Sequence, residues 1–359
     1  MSENNARLWG PQIRARGLTS GPAWSLLQGA ALLLLLAFWC VPAAAQCDAY
    51  VAQNASNSVW VINTMTEAAT TVIPVQFSPL GIAITPNGAF AYVTNTGAVC
   101  DSCLVNQPSS VSVIDTTANS VVATISVGDY PAAVAITPNG AFAYVANFHS
   151  NNVSVIDTAT NTVTATITVG TGPWGIAITP NGAFAYVTDY TAASVSVIST
   201  TTNTVVATVA IGSPAWNVAI TPNGAFAYVT TPGSNSVSVI NTATNTMVGT
   251  VTVGCGPTGV AITPSGAFVY VTNSCDSTVS VINTATNNAV ATVAVGSQPQ
   301  YVAITPDGLF AYTSNFLTNN LSVISTATNT VVDTVQAAGT EPEGIAIKAC
   351  PNAIKPTCR

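Results

Sequence analysis

The chain has 359 residues, only 5% of them charged, and its 13 acidic residues outnumber its six basic ones. From Gln46 to Ile347 it contains no lysine or arginine. Because nucleic-acid binding needs basic side chains that neutralise phosphates, this composition argues against a nucleic-acid partner. Anionic lipid surfaces and nucleotide phosphates are disfavoured for the same reason.

Residues 1–45 have the organisation of a secretory leader. Three arginines precede an apolar run at residues 30–41, and small residues follow it up to Ala45. The run is shorter than the roughly 18–20 residues that a membrane span needs. We therefore predict a signal peptide over residues 1–45 that is cut after Ala45, with an uncleaved membrane anchor as the alternative. This predicts an extracytoplasmic protein that is periplasmic, attached to the cell surface or secreted.

The rest of the chain is an internal repeat. A Thr-Pro pair recurs with one spacing of 52 residues and then four spacings of 42, at Pro86, Pro138, Pro180, Pro222, Pro264 and Pro306. A period of this length, built from short apolar runs, is typical of a solenoid or a propeller.

Each period contains four short runs rich in Val, Ile, Tyr and Thr. In one period we place strand A at residues 175–179, strand B at 183–188, strand C at 195–198 and strand D at 205–211. Asn181-Gly182, between strands A and B, predicts a type I′ hairpin turn. Four short antiparallel strands are typical of one propeller blade, and no helical periodicity occurs outside the leader.

The strand count predicts how the ring closes. Strands A and C each recur seven times, whereas strand B recurs six times as Phe-x-Tyr and once as residues 49–52. The chain after the leader thus begins on a strand B and ends on a strand A. We predict an all-β, seven-bladed β-propeller over residues 46–349, closed by pairing residues 344–348 with residues 49–53, and a short tail at 350–359. Such closure removes exposed sheet edges.

Several segments resemble the YVTN-type β-propeller repeat. The segments are Tyr92-Val-Thr-Asn95, Tyr270-Val-Thr-Asn273, the Val-Ser-Val-Ile-Asp runs and Gly-Ile-Ala-Ile-Thr-Pro, and the resemblance covers nearly all of residues 48–348. The family is similar to surface-layer and cell-surface propellers of prokaryotes, and more distantly to propeller lactonases and cofactor-associated propellers. The resemblance implies an extracytoplasmic location and a binding or structural role. It does not imply catalysis, because function lies in sites placed on a fold.

Cysteines in an exported protein are candidates for disulfides before metal ligands. Register places Cys47 and Cys350 in the A–B turn of the shared blade, which predicts a bond that clasps the ring. Cys255 lies in a D–A loop and Cys275 in the following B–C loop, on the same face, which predicts a second bond.

A third cysteine pair lies in the insertion at residues 96–109. Cys100 and Cys103 are separated by two residues, and we interpret them as a local disulfide. A metal site and a redox motif are the alternatives, and the former lacks ligands because the chain has a single histidine. Cys358 has no assigned partner.

The candidate ligand site lies at the mouth of the central channel. The position two residues before the apolar Ile or Val of strand A forms a ring of Leu80, Ala132, Trp174, Trp216, Thr258, Gln300 and Glu343. Nearby loops add Tyr130, Phe148, His149, Asp189, Tyr190, Tyr301, Phe316 and Glu341. At these positions the otherwise similar repeats differ. From this set we predict the ligand-binding residues Trp174, Trp216, Gln300, Glu343, Tyr301, Tyr130, Tyr190 and Asp189.

Trp174 and Trp216 carry most of this prediction. They could stack on sugar rings or bind a partner's loop, and the alternative is that they only plug the channel. Asp189 and Glu343 could form an acid pair, although solvated loop carboxylates are the simpler interpretation. His149 is interpreted as a solvent-facing loop residue. The sequence suggests no catalytic residue, no metal ligand set and no cofactor.

Together these observations predict an exported, non-enzymatic scaffold that binds a cell-surface protein or a glycan through the D–A and B–C loop face. Self-assembly is a further option, and a membrane contact would come only through an uncleaved leader. The alternatives are a carbohydrate-binding module that uses Trp174 and Trp216, or a hydrolase that resembles the propeller lactonases.

Overall fold

The computed structural model describes residues 47–97, 108–336 and 339–348. These residues form 28 strands in seven four-stranded antiparallel sheets, and the single helical segment among them is a 3₁₀ turn at Pro232–Ser234. The predicted all-β, seven-bladed propeller is confirmed. No helix within these ranges is both long and apolar enough to cross a membrane.

The strands follow the predicted order A, B, C, D within each blade, with bounds that differ from the predicted ones by one or two residues. The A strands are β4 (Pro79–Ile84), β8 (Pro131–Ile136), β12 (Pro173–Ile178), β16 (Val218–Ile220), β20 (Pro257–Ile262), β24 (Pro299–Ile304) and β28 (Pro342–Ile347). The B strands are β1 (Asp48–Gln53), β5 (Phe90–Asn95), β9 (Phe142–Asn147), β13 (Phe184–Asp189), β17 (Phe226–Thr231), β21 (Phe268–Asn273) and β25 (Phe310–Asn315).

The two outer strands of each blade are equally regular. The C strands are β2 (Ser58–Asn63), β6 (Ser110–Asp115), β10 (Asn152–Asp157), β14 (Ser194–Ser199), β18 (Ser236–Asn241), β22 (Thr278–Asn283) and β26 (Asn320–Ser325). The D strands are β3 (Ala68–Pro74), β7 (Ser120–Ser126), β11 (Thr162–Thr168), β15 (Thr204–Ala210), β19 (Thr246–Thr252), β23 (Asn288–Ala294) and β27 (Thr330–Gln336).

The ring closes as the strand count predicts. Strand β28 pairs with β1 in antiparallel register, with Tyr50 opposite Ala346 and Val51 opposite Ile345. The first blade therefore has the order β28-β1-β2-β3, and its A strand comes from the C-terminal end of the described chain. Each A strand contacts the A strands of both neighbouring blades, so the seven A strands surround the channel.

The hydrophobic core lies between blades and not within one sheet. One cluster joins Tyr186, Val195 and Val197 of the fourth blade to Ala227 and Val229 of the fifth, all fully buried. Strand B is buried along nearly its whole length, whereas strand D faces solvent except near its end. Packing between sheets therefore holds the ring together, because burial of apolar side chains is the main favourable contribution to folding.

A tyrosine in strand B bridges neighbouring blades. The Tyr92 hydroxyl donates to Asn161 Oδ1 at 2.7 Å, and Asn161 sits in the C–D turn of the next blade with a φ of 53°. Asparagine tolerates this left-handed conformation better than most residues. At the closure, the Tyr312 hydroxyl donates instead to Glu67 Oε1 at 2.6 Å. This contact gives a structural reason for the tyrosine and asparagine that recur in each period.

The A–B turn differs from the predicted type I′ geometry. The Gly182 N–H donates to the Thr179 carbonyl at 2.8 Å, so Pro180 and Asn181 occupy the central positions. Gly182 has a φ of 73°, whereas Asn181 is not in the positive-φ region. The type I′ prediction was wrong because proline fixes φ near −65° and thus excludes a turn that needs positive φ at both central residues.

The described cysteines bear on two of the predicted disulfides. Cys255 and Cys275 are thiols whose side chains lie within hydrogen-bond reach of each other, so the two loops meet as predicted while the bond itself stays a prediction. Cys47 is buried beside the first strand and is disulfide-bonded. Its predicted partner Cys350 lies outside the described residues, as do Cys100 and Cys103.

Candidate functional site

A pocket of about 290 Å³ opens where the A strands begin. It is lined by Asn54, Leu80, Tyr130, Trp174, Trp216, Gln300, Tyr301, Phe316 and Glu343. Two larger grooves, of about 510 and 490 Å³, lie between the A–B turns of neighbouring blades. Their lining consists of the Thr-Pro-Asn-Gly turns that the repeats share, so they are features of the scaffold. The channel-mouth pocket combines aromatic and ionisable side chains. A further pocket of about 320 Å³ at the ring closure also does so, but its Glu67 already accepts a hydrogen bond from the Tyr312 hydroxyl.

Close approach of the A strands brings the lining residues together. A Cβ on Gly259 would lie 2.6 Å from the Gln300 carbonyl oxygen, and one on Gly175 would lie 2.8 Å from the Trp216 carbonyl oxygen. Side-chain-bearing residues would force these strands apart, since contacts this short do not occur. Glycine therefore allows the same register position in adjacent blades to converge on the channel mouth.

The polar side of the pocket is built around Glu343. This residue retains some accessible surface because it faces the pocket, but protein atoms surround it on the other sides. Burial, followed by the nearby charge of Glu341, raises the pKa of Glu343 to about 8. No hydrogen bond from the described residues offsets this shift. The Glu343 carboxyl group is therefore mostly protonated at pH 7 and becomes mostly ionised above about pH 8.

Two tyrosines flank this carboxyl group. Burial raises the pKa of the Tyr130 and Tyr301 hydroxyls, and the charge of Glu343 raises both further. Both phenols thus stay protonated at neutral pH and remain hydrogen-bond donors.

Trp174 adds a donor with no protein partner. Its Nε1–H is buried and forms no hydrogen bond of full geometry with any described residue. It lies beside the Tyr301 hydroxyl. This contact lowers the pKa of Tyr301 slightly, against the larger increase that burial causes. A buried N–H without an acceptor is costly, typically about 1–3 kcal/mol, so its presence in a pocket indicates that a ligand or water supplies the acceptor.

Aromatic rings form a continuous cluster at the channel mouth. Trp174 and Trp216 lie with ring centroids 4.4 Å apart, and the Tyr190 ring meets Trp216 edge-on at 5.3 Å. On the other side of Trp174, Phe148 contacts it edge-on at 5.3 Å and Tyr130 lies 6.1 Å away. We call these five residues the aromatic arc. It gives the pocket an apolar surface of the kind that sugar rings and other flat ligands contact.

Six of the eight predicted ligand-binding residues line the pocket, namely Tyr130, Trp174, Trp216, Gln300, Tyr301 and Glu343. Tyr190 packs against Trp216 as part of the aromatic arc, outside the lining. The ring positions Ala132 and Thr258 are buried behind the surface.

Asp189 lies away from the pocket. It is fully buried at the end of strand β13, where its Oδ2 accepts hydrogen bonds from Ser194 Oγ at 2.9 Å and Ser196 Oγ at 2.8 Å. Burial raises its pKa to about 6 despite these bonds. The side chain reaches Ser194 and Ser196 of strand β14 because these two residues, two positions apart, lie on its own face of the sheet. The acid pair considered for Asp189 and Glu343 does not form, since neither influences the pKa of the other.

His149 lies on the surface beside the site. Its side chain is 48% exposed, and its Nδ1 lies 3.6 Å from Asp129 Oδ2. It contacts the Tyr130 ring at 4.8 Å but does not line the pocket. Its placement on an exposed loop agrees with the interpretation from the sequence.

Asn54 is a lining residue that the sequence analysis did not include. It directly follows strand β1, and the corresponding residues after later B strands include Phe148, Tyr190 and Phe316. Those three were recognised as divergent loop positions. Comparing the same register position in the split first blade would have identified Asn54 too.

These features define a class, the seven-bladed propellers with a ligand pocket at the channel mouth. A family model described as "Lactonase, 7-bladed beta-propeller" matches residues 49–169 and 157–290, more than half of the chain. The chain belongs to this family of lactonase propellers. A second model, "YNCE-like beta-propeller", matches residues 261–345. No sequence among curated proteins matches the chain significantly.

Solved structures of bacterial proteins share the fold. Hydrazine synthase of Kuenenia stuttgartiensis is 26% identical with a TM-score of 0.69, over 77% of this chain and 92% of that one. The periplasmic gluconolactonase PpgL of Pseudomonas aeruginosa is 17% identical with a TM-score of 0.71, over 85% and 99%. A functionally unknown protein of Desulfotomaculum acetoxidans is 21% identical with a TM-score of 0.72, also over 85% and 99%.

The family match corrects the functional prediction. The expected non-enzymatic scaffold was wrong, because the chain belongs to a family of lactonase propellers. The sequence analysis had given a lactonase-like hydrolase only as an alternative, since it found one histidine, no arginine in the ring and no acid cluster. The match supports a propeller, but it does not support the narrower likeness to surface-layer proteins.

Proposed function

We propose that the protein hydrolyses the ester bond of a lactone bound at the channel mouth, with Glu343 as the general base. One observation carries the proposal. In a propeller of the lactonase family, the channel pocket contains a buried carboxyl group whose pKa is raised to about 8, and the same pocket is lined by Trp174, whose buried Nε1–H has no well-aligned acceptor among the described residues. Such groups are typical of acid–base catalysis near neutral pH.

The reaction needs one water molecule. The Glu343 carboxylate removes a proton from this water as its oxygen forms a bond to the lactone carbonyl carbon. The tetrahedral intermediate then collapses, the bond from that carbon to the ring oxygen breaks, and protonated Glu343 returns the proton to the leaving ring oxygen. The product is an open-chain hydroxy acid, and Glu343 ends as it began.

Uncharged donors support the carbonyl oxygen as it gains negative charge. The Trp174 indole N–H and the Tyr130 and Tyr301 hydroxyls are all at the pocket, and both phenols keep their protons. Donors fixed in a water-poor site stabilise a developing oxyanion more strongly than water does, and loss of one such donor typically costs about 10²–10³-fold in rate.

The aromatic arc gives the lactone an apolar surface to bind. Trp174 and Trp216 offer flat apolar surface to the C–H face of a lactone ring, and Phe316 also lines the pocket. A ligand held there lies next to Glu343, since all four residues line the same pocket. Positioning of this kind converts attack by water into a step within one complex.

The test compares two neighbouring carboxylates. The rate of glucono-δ-lactone opening above the spontaneous rate is measured for the wild type, Glu343→Gln and Glu341→Gln. We expect Glu343→Gln to lose roughly 10²–10⁴-fold in kcat/KM, the usual size of a general-base contribution. Glu341→Gln removes an equal charge two residues earlier, just before strand β28, and should remain active. Equal activity of Glu343→Gln and the wild type on every lactone tested would disprove the role of Glu343.

We also propose that the enzyme acts outside the cytoplasm. The support is the leader-like sequence of residues 1–45, which lies outside the described residues, and the YVTN-like segments of the blades. Cell fractionation with N-terminal sequencing should find a chain that starts at Gln46 in the exported fraction. A full-length chain in the cytoplasm would contradict this part.

A further inference from the structure

We infer that the pocket selects an uncharged lactone and rejects lactones that carry a phosphate or a carboxylate. This inference rests on the proposed lactone hydrolysis and names the class of substrate that the same site accepts. It follows from the charges around the pocket, from the donors that line it and from its size.

Among the described residues, no lysine or arginine lies near the pocket. The segment from Gln46 to Ile347 has no lysine or arginine, and Lys348 is the one such residue among those that the structure describes. Glu343 and Lys348 are five residues apart along strand β28 and its end, a separation of about 16 Å. The Lys348 side chain packs beside Gly88 in an A–B turn, on the opposite face of the ring. It therefore cannot pair with an anion at the channel mouth.

His149 does not supply the missing charge. Its imidazole is outside the lining residues, and its nearest charged partner is Asp129. A protonated His149 would therefore be paired with an exposed carboxylate on its own face. The lining itself contains no histidine.

The charge that the pocket does hold is negative. Glu343 becomes ionised in the pH range where it acts as a base, and the charge of Glu341 is near enough to raise its pKa. A phosphate placed beside these carboxylates would lose its hydration without gaining an ion pair. Moving an unpaired charge out of water and close to a like charge is strongly unfavourable.

The donors that remain fit neutral oxygen atoms. Trp174 Nε1–H, the two tyrosine hydroxyls and the Gln300 amide are uncharged, and each binds a carbonyl or hydroxyl oxygen at no electrostatic cost. The volume of about 290 Å³ lies at the lower end of the roughly 300–1,000 Å³ common for ligand pockets. It suits one sugar-sized ring stacked on Trp174 and Trp216, such as a hexonolactone without a phosphate.

The experiment pairs two lactones that differ only by a phosphate. Initial rates with glucono-δ-lactone and 6-phosphoglucono-δ-lactone are measured on the full mature chain at one ionic strength. We expect kcat/KM to be at least about 100-fold higher for the uncharged lactone, because the site's polar groups have no charged partner for the phosphate. Similar or higher values for the phosphorylated lactone would overturn the inference and leave lactone hydrolysis intact.

A variant that adds a positive charge tests whether the lack of a cation in the pocket causes the selectivity. Gln300→Lys places a cation in the pocket, and it should shift the ratio of kcat/KM toward the phosphorylated lactone by at least about tenfold. Thr171→Lys adds the same charge on an exposed loop of the same face outside the lining, and should leave the ratio unchanged. Equal shifts in both variants would mean that net charge, and not the pocket, sets the preference.

Binding separates failure of this inference from failure of the proposed function. Ligand quenching of tryptophan fluorescence is measured on the wild type immediately after mixing, so that Glu343 is present while Trp174 and Trp216 report on the pocket. Stronger quenching by the uncharged lactone would support the selectivity. If the wild type also failed to turn over this lactone, the selectivity would stand and the proposed hydrolysis would be refuted. Equal quenching by both lactones, or none by either, would refute the selectivity.

Discussion

The two faces of the ring are built from the same repeat but differ in how their polar groups are used. On the face with the A–B and C–D turns, most residues repeat from blade to blade and many of their polar atoms are hydrogen-bonded, although Glu67 Oε2 at the ring closure is not. The Asp115 carboxylate, for example, caps a C–D turn by accepting the N–H groups of Thr117 and Ala118 at 2.7 and 3.0 Å. On the pocket face, residues at matching positions differ, and groups such as Trp174 Nε1 lack a partner. The residues that repeat from blade to blade stabilise the ring, whereas the residues that differ between blades lie at the pocket.

Inner and outer strands should differ most in their tolerance of a methyl group. Gly259→Ala in strand β20 would bring Cβ within 2.6 Å of the Gln300 carbonyl oxygen and 2.8 Å of the Tyr301 Cα, both backbone atoms that cannot move cheaply. We expect a loss of about 1–3 kcal/mol in the free energy of unfolding, measured by urea denaturation, because overpacking displaces the neighbouring strand.

The matched control for this variant lies on an outer strand. A Cβ on Gly249 in strand β19 would meet no atom within 4 Å. Gly249→Ala should therefore be neutral or stabilise the protein by up to about 1 kcal/mol, since alanine restricts the unfolded chain. Equal losses in both variants would contradict the close packing of A strands at the pocket.

The pocket face should also give the enzyme its pH dependence. Because a general base must be ionised, log(kcat/KM) should rise with pH up to about 8 and then level off, so that the value at pH 6 is about 100-fold below the plateau. Glu341→Gln removes a charge that raises the pKa of Glu343, and its profile should shift to lower pH. A rate that falls above pH 8 would instead identify Glu343 as an acid.

A smaller effect should come from the buried position that ends each B strand. Most described blades have asparagine there, and Asn273 Nδ2 donates to Thr278 Oγ1 and Ser280 Oγ at 2.9 Å each. Asp189 occupies this position in the fourth blade with its pKa raised from 3.8 to about 6. Because the pKa of Asp189 is higher in the folded state, its protonated side chain stabilises the fold relative to its ionised form. This stabilisation is complete below about pH 4 and is lost as the pH rises through about 6.

Asp189→Asn should remove that loss. We expect this variant to be more stable than the wild type by on the order of 2 kcal/mol at pH 8, and little different at pH 4, in urea unfolding at both pH values. The converse variant, Asn273→Asp, should lose a similar amount at pH 8 only. A pH-independent difference in either variant would show that packing, and not ionisation of the buried carboxyl group, is responsible.

Prediction from the sequence succeeded where the signals are local and repeated. The Thr-Pro-Asn-Gly turns and the apolar runs of each period predicted four strands per blade, and counting strand B predicted the pairing of β28 with β1. The turn type was missed because the Asn-Gly pair was interpreted without the proline before it. The divergent ring found six of the pocket residues, but it also included Asp189, since a sequence position does not show which way a loop-adjacent side chain points.

The sequence by itself thus determined the number of blades, the order of strands and the closure, because alternation, turn residues and repeat length are properties of neighbouring residues. Only the tertiary structure decided which side chains share a pocket. Leu80 and Glu343 are separated by most of the chain, yet both reach the channel mouth once the ring has closed. Their meeting in a confined space removes water from Glu343 and raises its pKa. The raised pKa of Glu343 therefore depends on burial that arises only when several blades come together, and the sequence of one repeat does not encode it.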